Sequence, residues 1–138
     1  MCIRDRTKIE DMRSQHETRF DRNRAERVGI VTDSTCDLPP AMFEELNIGM
    51  VPVRVYFGSE NYLDKVTLSP AEFYARFAVT DVAPKTSQPP PADFTQVYQF
   101  VSGHHGSIVS IHLSKALSGT YQAAIVGARP IELSLIHI

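Results

Sequence analysis

The chain has 138 residues, about the length of one domain, and 43% of them are hydrophobic, so it can bury a core. Fourteen basic and 16 acidic residues give a net charge of −2, which argues against a nucleic-acid surface. No run of 18 apolar residues and no signal peptide is present, so we expect a cytoplasmic protein without membrane insertion. Two cysteines are too few for a disulfide scaffold or a four-ligand zinc site, and we expect neither a metal nor another cofactor.

The two ends of the chain differ from its middle. Residues 1–27 form a charged extension with eight basic and six acidic residues, a balance of +2, which predicts a solvated helix or a disordered arm. Residues 1–6 and 133–138 resemble translated sequencing-adapter DNA, so they are left out of the fold prediction, and the gene is expected to continue further. The folded part is predicted over 28–129, followed by a tail over 130–138.

Short apolar runs alternate with helical patterns through the middle. Residues 28–31 predict a buried strand that ends in the polar residues 32–35. A helix predicted over 39–49 starts at two prolines and ends at Asn-Ile-Gly. The β-branched and aromatic residues 48–57 predict a second strand, in which Pro52 indicates an edge position or a bulge.

The same alternation continues to the last predicted helix. A capping box with proline at the first helical position, Ser69–Glu72, predicts a helix. Apolar residues at helical spacing predict another over 91–101, residues 107–113 predict a third strand, and Ser118–Thr120 begin a final helix. Because strands alternate with helices, the sequence predicts an α/β fold with a largely parallel sheet and flanking helices.

Ligands of such folds bind at the C-terminal ends of the strands, which here selects residues 33–35, 85–89 and 114–120. These segments are rich in hydroxyls, which can donate hydrogen bonds to an oxyanion. Gly119 lets backbone approach a ligand at the start of a helix, where N–H groups favour anions. The pattern fits binding of an anionic head group better than bond breaking, and the hydroxyl candidates are Thr32, Ser34, Thr35, Thr86, Ser87, Ser114, Ser118 and Thr120.

Structural roles stay open beside the functional ones. The alternative for Ser118 is a helix cap, the alternative for Thr86–Ser87 is an ordinary turn, and His112 is more simply a core histidine. Asp33 is expected to accept backbone N–H bonds and orient its loop, because Thr35 stands where a phospho-aspartate phosphatase would carry its second aspartate. The common catalytic motifs for phosphate loops, nucleophile elbows and zinc proteases are missing, so no catalytic residue is assigned.

Four segments taken together resemble the DegV family of bacterial fatty-acid-binding proteins. They are Val28–Pro39 (VGIVTDSTCDLP), Val51–Val53 (VPV), Thr86–Pro89 (TSQP) and Ile111–Gln122 (IHLSKALSGTYQ). The resemblance covers about residues 28–129. It implies the N-terminal lobe of a two-lobed α/β protein that encloses a long-chain fatty acid in a tunnel.

The resemblance also implies which residues hold the carboxylate of the acid. By position this role passes to Thr86, Ser87, Ser114, Ser118, Gly119 and Thr120, and Asp33 and Ser34 complete the predicted ligand-binding set. Lys85 and Lys115 depart from the family pattern and are expected to be solvated.

The function implied by the resemblance is that of a non-enzymatic carrier. The carrier presents the bound acid to a separate fatty-acid kinase, which supplies acyl-phosphate for phospholipid synthesis. Two alternatives stay open: a phosphoryl-transfer enzyme related to dihydroxyacetone-type kinases, and an interaction fragment that binds no ligand.

Overall fold

The computed structural model describes residues 24, 26–131 and 134–137, so most of the predicted N-terminal extension lies outside the described residues. The described part contains seven strands and four helices. In chain order they are β1 (Val28–Asp33), α1 (Pro40–Glu45), β2 (Gly49–Val51), β3 (Arg54–Phe57), β4 (Glu60–Leu63), α2 (Pro70–Val79), β5 (Lys85–Ser87), α3 (Pro91–Ser102), β6 (Ser107–Ile111), α4 (Thr120–Ala128) and β7 (Ser134–His137).

The larger sheet is parallel throughout, with the strand order β2-β1-β6-β7. Helix α3 packs against β1, β2 and β6, and α4 packs against α3. These elements confirm the predicted α/β fold with a parallel sheet and flanking helices. Strand β7 was not predicted, because residues 133–138 had been left out of the fold.

The smaller sheet is antiparallel, with the order β4-β3-β5, and the sequence did not predict it. The single strand predicted over 48–57 is wrong: β2 ends at Val51, and β3 begins at Arg54 in the other sheet. Pro52 has no N–H for a sheet ladder. The N–H of Val53 donates instead to Ser34 Oγ at 3.0 Å, so the chain leaves the first sheet there.

The hydrophobic core follows the two sheets. The larger cluster fills the space between the parallel sheet and helices α3 and α4, and the smaller one lies beside β3. The larger comprises Val31, Val51, Phe94, Tyr98, Val101, Ile108, Ala123 and Ala124, and the smaller comprises Val55, Phe57 and Leu68. Arg54 of β3 joins the two regions through an ion pair with Asp93 of α3 at 3.1 Å.

The helix starts follow local sequence signals closely. At α2 the N–H of Glu72 donates to Ser69 Oγ at 3.2 Å, and the N–H of Ser69 donates to Glu72 Oε2 at 2.8 Å. This is the predicted capping box. The helix predicted over 91–101 is confirmed as α3, and the one predicted over 39–49 is confirmed as the shorter α1. None of the helices among the described residues is long and apolar enough to cross a membrane.

Helices α3 and α4 approach closely at Gly127, where a Cβ atom would stand 2.5 Å from the Pro91 carbonyl oxygen and 2.6 Å from Phe94 Cβ. We expect Gly127→Ala to lower the free energy of unfolding by about 1–2 kcal/mol, because overpacking against backbone outweighs the helix propensity of alanine. Urea denaturation measures the change, with Gln122→Ala on the exposed side of α4 as control. A gain in stability in Gly127→Ala would contradict this close packing.

Candidate functional site

The three polar segments selected from the sequence meet around one open cleft of about 520 Å³. The cleft lies where β1 and β6 end, and the edge strand β5 forms another part of its wall. Its walls combine hydroxyl and amide groups with apolar side chains. The lining residues are Thr35, Val53, Thr86, Ser87, Gln88, Leu113, Leu117, Ser118 and Thr120.

Four of the predicted ligand-binding residues line the cleft directly: Thr86, Ser87, Ser118 and Thr120. Thr86 and Ser87 are exposed and belong to β5, so the interpretation of these two residues as an ordinary turn is wrong. Their strand pairs antiparallel with β3, with Thr86 opposite Val55 and Ser87 opposite Arg54. The smaller sheet therefore carries one wall of the cleft.

The other predicted residues lie around the cleft without lining it. Ser114 is exposed, and its Oγ accepts the N–H of Ala116 at 3.3 Å. Ser34 is buried, with its hydroxyl engaged by the N–H of Val53. Asp33 is fully buried beneath the cleft. These side chains support the walls in the present structure, and a direct ligand contact for them stays a prediction.

Helix α4 begins differently from the simplest sequence interpretation. Gly119 occupies the N-cap position and no side chain caps the helix, so the interpretation of Ser118 as the N-cap is wrong by one residue. Ser118 Oγ instead accepts the N–H of Thr120 at 3.2 Å, and the two hydroxyl oxygens are 2.9 Å apart. Ser118 and Thr120 therefore form a linked pair of hydroxyls at the cleft.

Gly119 has a packing role at the same place. A Cβ atom there would overlap the side-chain amide of Gln88, which lines the cleft from the segment after β5. The absence of a side chain leaves room for the amide of Gln88 against the backbone of Gly119. This role differs from the predicted contact between Gly119 and a ligand.

Five cleft residues were absent from the predicted ligand-binding set: Thr35, Val53, Gln88, Leu113 and Leu117. Each falls within one of the sequence segments that carry the family resemblance. Thr35 was named only as a hydroxyl candidate, and the other four were passed over because the prediction considered only hydroxyls, Gly119 and the Asp33 carboxylate. Val53 and the two leucines supply the apolar part of the cleft, and Leu117 leaves 77% of its surface exposed.

A chain of buried hydrogen bonds runs inward from the cleft. His112 Nδ1 lies 3.0 Å from Asp33 Oδ2, and both side chains are fully buried. On the other side of the ring, Nε2 lies 2.6 Å from Ser110 Oγ, which in turn lies 2.7 Å from the Tyr98 hydroxyl. His112 is thus a core histidine, as the simpler interpretation held, and Asp33 is its partner.

The protonation of this chain follows from its partners. Burial by itself raises the pKa of the Asp33 carboxyl, but hydrogen bonds from His112 and Thr35 outweigh burial and lower the pKa below its usual value. Asp33 is then an ionised acceptor, so we assign the proton on His112 to Nδ1. Burial raises the pKa of Tyr98 to about 12, so its phenol stays neutral.

The hydrogen-bonded series Asp33, His112 and Ser110 resembles the triad of a hydrolase, but its serine is inaccessible to a substrate. Ser110 is fully buried on β6, so no substrate reaches its hydroxyl. A triad nucleophile must have its hydroxyl accessible to the substrate carbonyl. We therefore interpret this series of buried hydrogen bonds as structural support for the cleft.

Charged groups stand back from the cleft lining. Lys85 and Lys115 are exposed, as predicted, and neither lines the cleft. At the far end of the fold, His105 Nδ1 lies 3.0 Å from the carbonyl oxygen of Val101, and His104 is exposed. Among the described residues, no group of three or more histidine, cysteine, aspartate or glutamate side chains could hold a metal ion.

The parallel sheet and the cleft at the C-terminal ends of its strands define an α/β protein with its candidate site at the sheet edge. The model of the DegV family, described as "Uncharacterised protein, DegV family", matches residues 27–138. The chain belongs to the DegV family. This confirms the resemblance drawn from the four sequence segments.

Curated relatives agree with this assignment. The chain is 39% identical over 107 residues to a DegV domain-containing protein of Halalkalibacterium halodurans, a match that covers 77% of this chain and 38% of the relative. It is 36% identical over 103 residues to a DegV domain-containing 15.5 kDa protein of Staphylococcus aureus, covering 75% of this chain and 73% of that one. The chain thus spans well under half of the Halalkalibacterium relative.

Solved structures share the fold. A DegV family protein from Thermus thermophilus, reported for fatty-acid binding, matches with a TM-score of 0.73 and 33% identity over 81% of this chain and 40% of its own. DegV of Bacillus subtilis, described as a fatty-acid-binding protein, matches with a TM-score of 0.73 and 31% identity, covering 80% of this chain and 39% of its own. A stearic-acid-binding protein from Eubacterium ventriosum matches with a TM-score of 0.72 and 28% identity, covering 81% of this chain and 41% of its own.

Proposed function

We propose that this protein binds a long-chain fatty acid and holds its carboxylate in the cleft between β5 and the start of α4. The observation that carries the proposal is the composition of the cleft wall. Hydroxyls of Thr86, Ser87 and Ser118 stand beside the apolar side chains of Leu113 and Leu117. A fatty acid has the same division, with a small anionic head and an apolar chain.

The physical chemistry of the cleft supports a reversible carrier. Neutral hydroxyl and amide donors can hydrogen-bond a carboxylate. The described residues that line the cleft are all uncharged, so none of them can form a salt bridge with it. Burial of the alkyl chain contributes about 0.8 kcal/mol per CH₂ group. Affinity would then come mainly from the alkyl chain of the acid, and its carboxylate head group would remain available for transfer.

The known proteins support the same ligand class. The DegV proteins of Thermus thermophilus and Bacillus subtilis and the Eubacterium ventriosum protein are each described as binding fatty acid, in the last case stearic acid. This chain spans about 40% of each. We propose that residues 28–129 are one lobe of such a protein, and that the rest of the tunnel belongs to a second lobe.

The carrier role includes a partner. We propose that a separate fatty-acid kinase takes the acid from this protein in the bacterial cytoplasm and phosphorylates it for phospholipid synthesis. Phosphorylation of a carboxylate needs ATP and a carboxylate oxygen held in position. The cleft is suited to hold that oxygen of the bound acid. The protein would then be a co-substrate and not itself an enzyme.

Oleate tests the proposed ligand. At about five times its Kd, oleate should add about 1 kcal/mol to the free energy of unfolding, a rise in Tm of about 3–4 °C. The double variant Thr86→Ala/Ser118→Ala removes two hydroxyls from opposite walls and should abolish most of this rise. Differential scanning calorimetry of the chain with and without oleate measures both effects.

Two controls separate specific binding from detergent action. Methyl oleate has the same chain without the carboxylate and should stabilise the wild type far less. Ser102→Ala removes an exposed hydroxyl that donates to Gln99 on α3 and should respond to oleate like the wild type. An equal response of wild type and double variant would count against a head-group site in this cleft. Turnover of ATP by the isolated protein would favour the phosphoryl-transfer alternative, and no response to any acid would favour an interaction fragment.

A further inference from the structure

Two walls of the cleft meet at one buried carboxylate. Asp33 Oδ1 accepts hydrogen bonds from the N–H and the hydroxyl of Thr35, the N–H at 3.0 Å. Asp33 Oδ2 accepts the N–H of Leu113 at 3.3 Å and faces His112 Nδ1 at 3.0 Å. Thr35 and Leu113 both line the cleft. Each oxygen of Asp33 therefore holds one cleft residue, from segments that lie 78 positions apart in the sequence.

His112 fixes this carboxylate from the side opposite Thr35. Its ring is itself held by Ser110 on Nε2 and packs edge-on against Phe94, with ring centroids 5.2 Å apart. Because β1 and β6 pair only as far as Thr32 and Ile111, the residues that follow have no ladder bonds to hold them together. Beyond the last paired residues, the hydrogen bonds to Asp33 connect the two segments instead.

We infer that Asp33 and His112 are positioning residues for ligand binding, which act by holding Thr35 and Leu113 at a fixed separation across the cleft. The inference rests on the proposed fatty-acid function. It assigns to the pair an effect on affinity, where a merely structural role would affect stability alone. Both side chains are fully buried, so in this inference they act through Thr35 and Leu113, in place of the direct ligand contact predicted for Asp33 from the sequence.

The test compares two conservative changes in the same buried chain. Asp33→Asn keeps the shape of the side chain, but its amide N–H₂ cannot accept the hydrogen bonds that one carboxylate oxygen accepts. Tyr98→Phe removes a hydroxyl that lies 2.7 Å from Ser110 Oγ and 3.5 Å from His112 Nε2, and it leaves the Asp33 acceptors of Thr35 and Leu113 in place. Both variants are studied as the full chain, at temperatures where circular dichroism shows them folded.

Affinity for oleate and amide hydrogen exchange are the two readouts. We expect Asp33→Asn to weaken oleate binding about tenfold, the equivalent of about one hydrogen bond to a charged group. Tyr98→Phe should bind oleate like the wild type, even if it is less stable. In the ligand-free protein, the amide proton of Thr35 or of Leu113, whichever faces the new N–H₂ group, should exchange faster in Asp33→Asn than in Tyr98→Phe after correction for global stability.

A variant at His112 supplies the rescue. His112→Asn retains an N–H donor near the position of Nδ1 and should bind oleate more tightly than His112→Leu, which has none.

The outcomes distinguish this inference from the function on which it rests. Wild-type affinity in Asp33→Asn, or unchanged exchange at Thr35 and Leu113, would overturn the positioning role while leaving the fatty-acid site intact. Failure of the wild type itself to bind oleate would overturn the proposed function and the positioning role together.

Discussion

Phe94→Ala is expected to lower the free energy of unfolding by about 3–5 kcal/mol, the usual cost of removing a buried aromatic ring. Phe94 is fully buried on α3 and contacts both Tyr98 and the edge of His112, with ring centroids 6.0 and 5.2 Å away. The change opens a cavity and also admits water to the buried Asp33–His112 pair. Domains of this size have a free energy of unfolding of about 5–15 kcal/mol in total, so a large part of their stability would be lost.

Urea denaturation followed by circular dichroism measures this effect as a lower midpoint with an unchanged slope. Phe100→Ala is the matched control, because Phe100 lies on the same helix but leaves 73% of its surface exposed. It should change the free energy of unfolding by less than about 0.5 kcal/mol. Similar losses in both variants would contradict the placement of Phe94 in the core.

Asp33→Ala is expected to cost about 3 kcal/mol at neutral pH, because it leaves buried donors of Thr35, His112 and Leu113 without their acceptor. The effect should depend on pH. The pKa of Asp33 is lower in the folded state than its usual value, so the ionised carboxylate stabilises the fold above that value. This contribution is lost as the pH falls through the folded pKa, below about pH 3.9.

The difference in stability between wild type and Asp33→Ala, measured in urea at pH 7 and pH 3, should therefore shrink in acid. Asp37→Ala serves as control, since the side chain of Asp37 is almost fully exposed and lies only 3.6 Å from Lys65 at the surface. Its urea midpoint should stay that of the wild type at pH 7. A difference for Asp33→Ala that is constant from pH 7 to pH 3 would contradict the assignment of an ionised carboxylate.

The site illustrates how far sequence reasoning reaches. Grouping residues 33–35 and 114–120 was sound, because parallel strands place their C-terminal ends together. Residues 85–89 reach the same cleft for a different reason, since β5 belongs to the antiparallel sheet. The position of a polar residue in the sequence did not show which way its side chain faces. Ser34 and Asp33 lie within two residues of Thr35, yet both are buried, and Val53 donates to Ser34 while His112 and Leu113 contact Asp33.

The sequence by itself determined the elements whose causes are local. A capping box starts α2, apolar spacing defines α3, and a continuous apolar run makes β1 a central strand. Each of these signals acts over at most a few turns of chain, so it can be recognised without knowledge of the fold. Together with four short segments they were enough to identify the family.

Only the tertiary structure decided the features that depend on distant partners. The chain leaves the parallel sheet after Val51 because Ser34, 19 positions away from Val53, accepts the Val53 N–H. Asp33 is ionised and buried because His112, 79 positions away, lies beside it. Such contacts form between residues that no local pattern connects, and whether a polar side chain faces a ligand or the core depends on them.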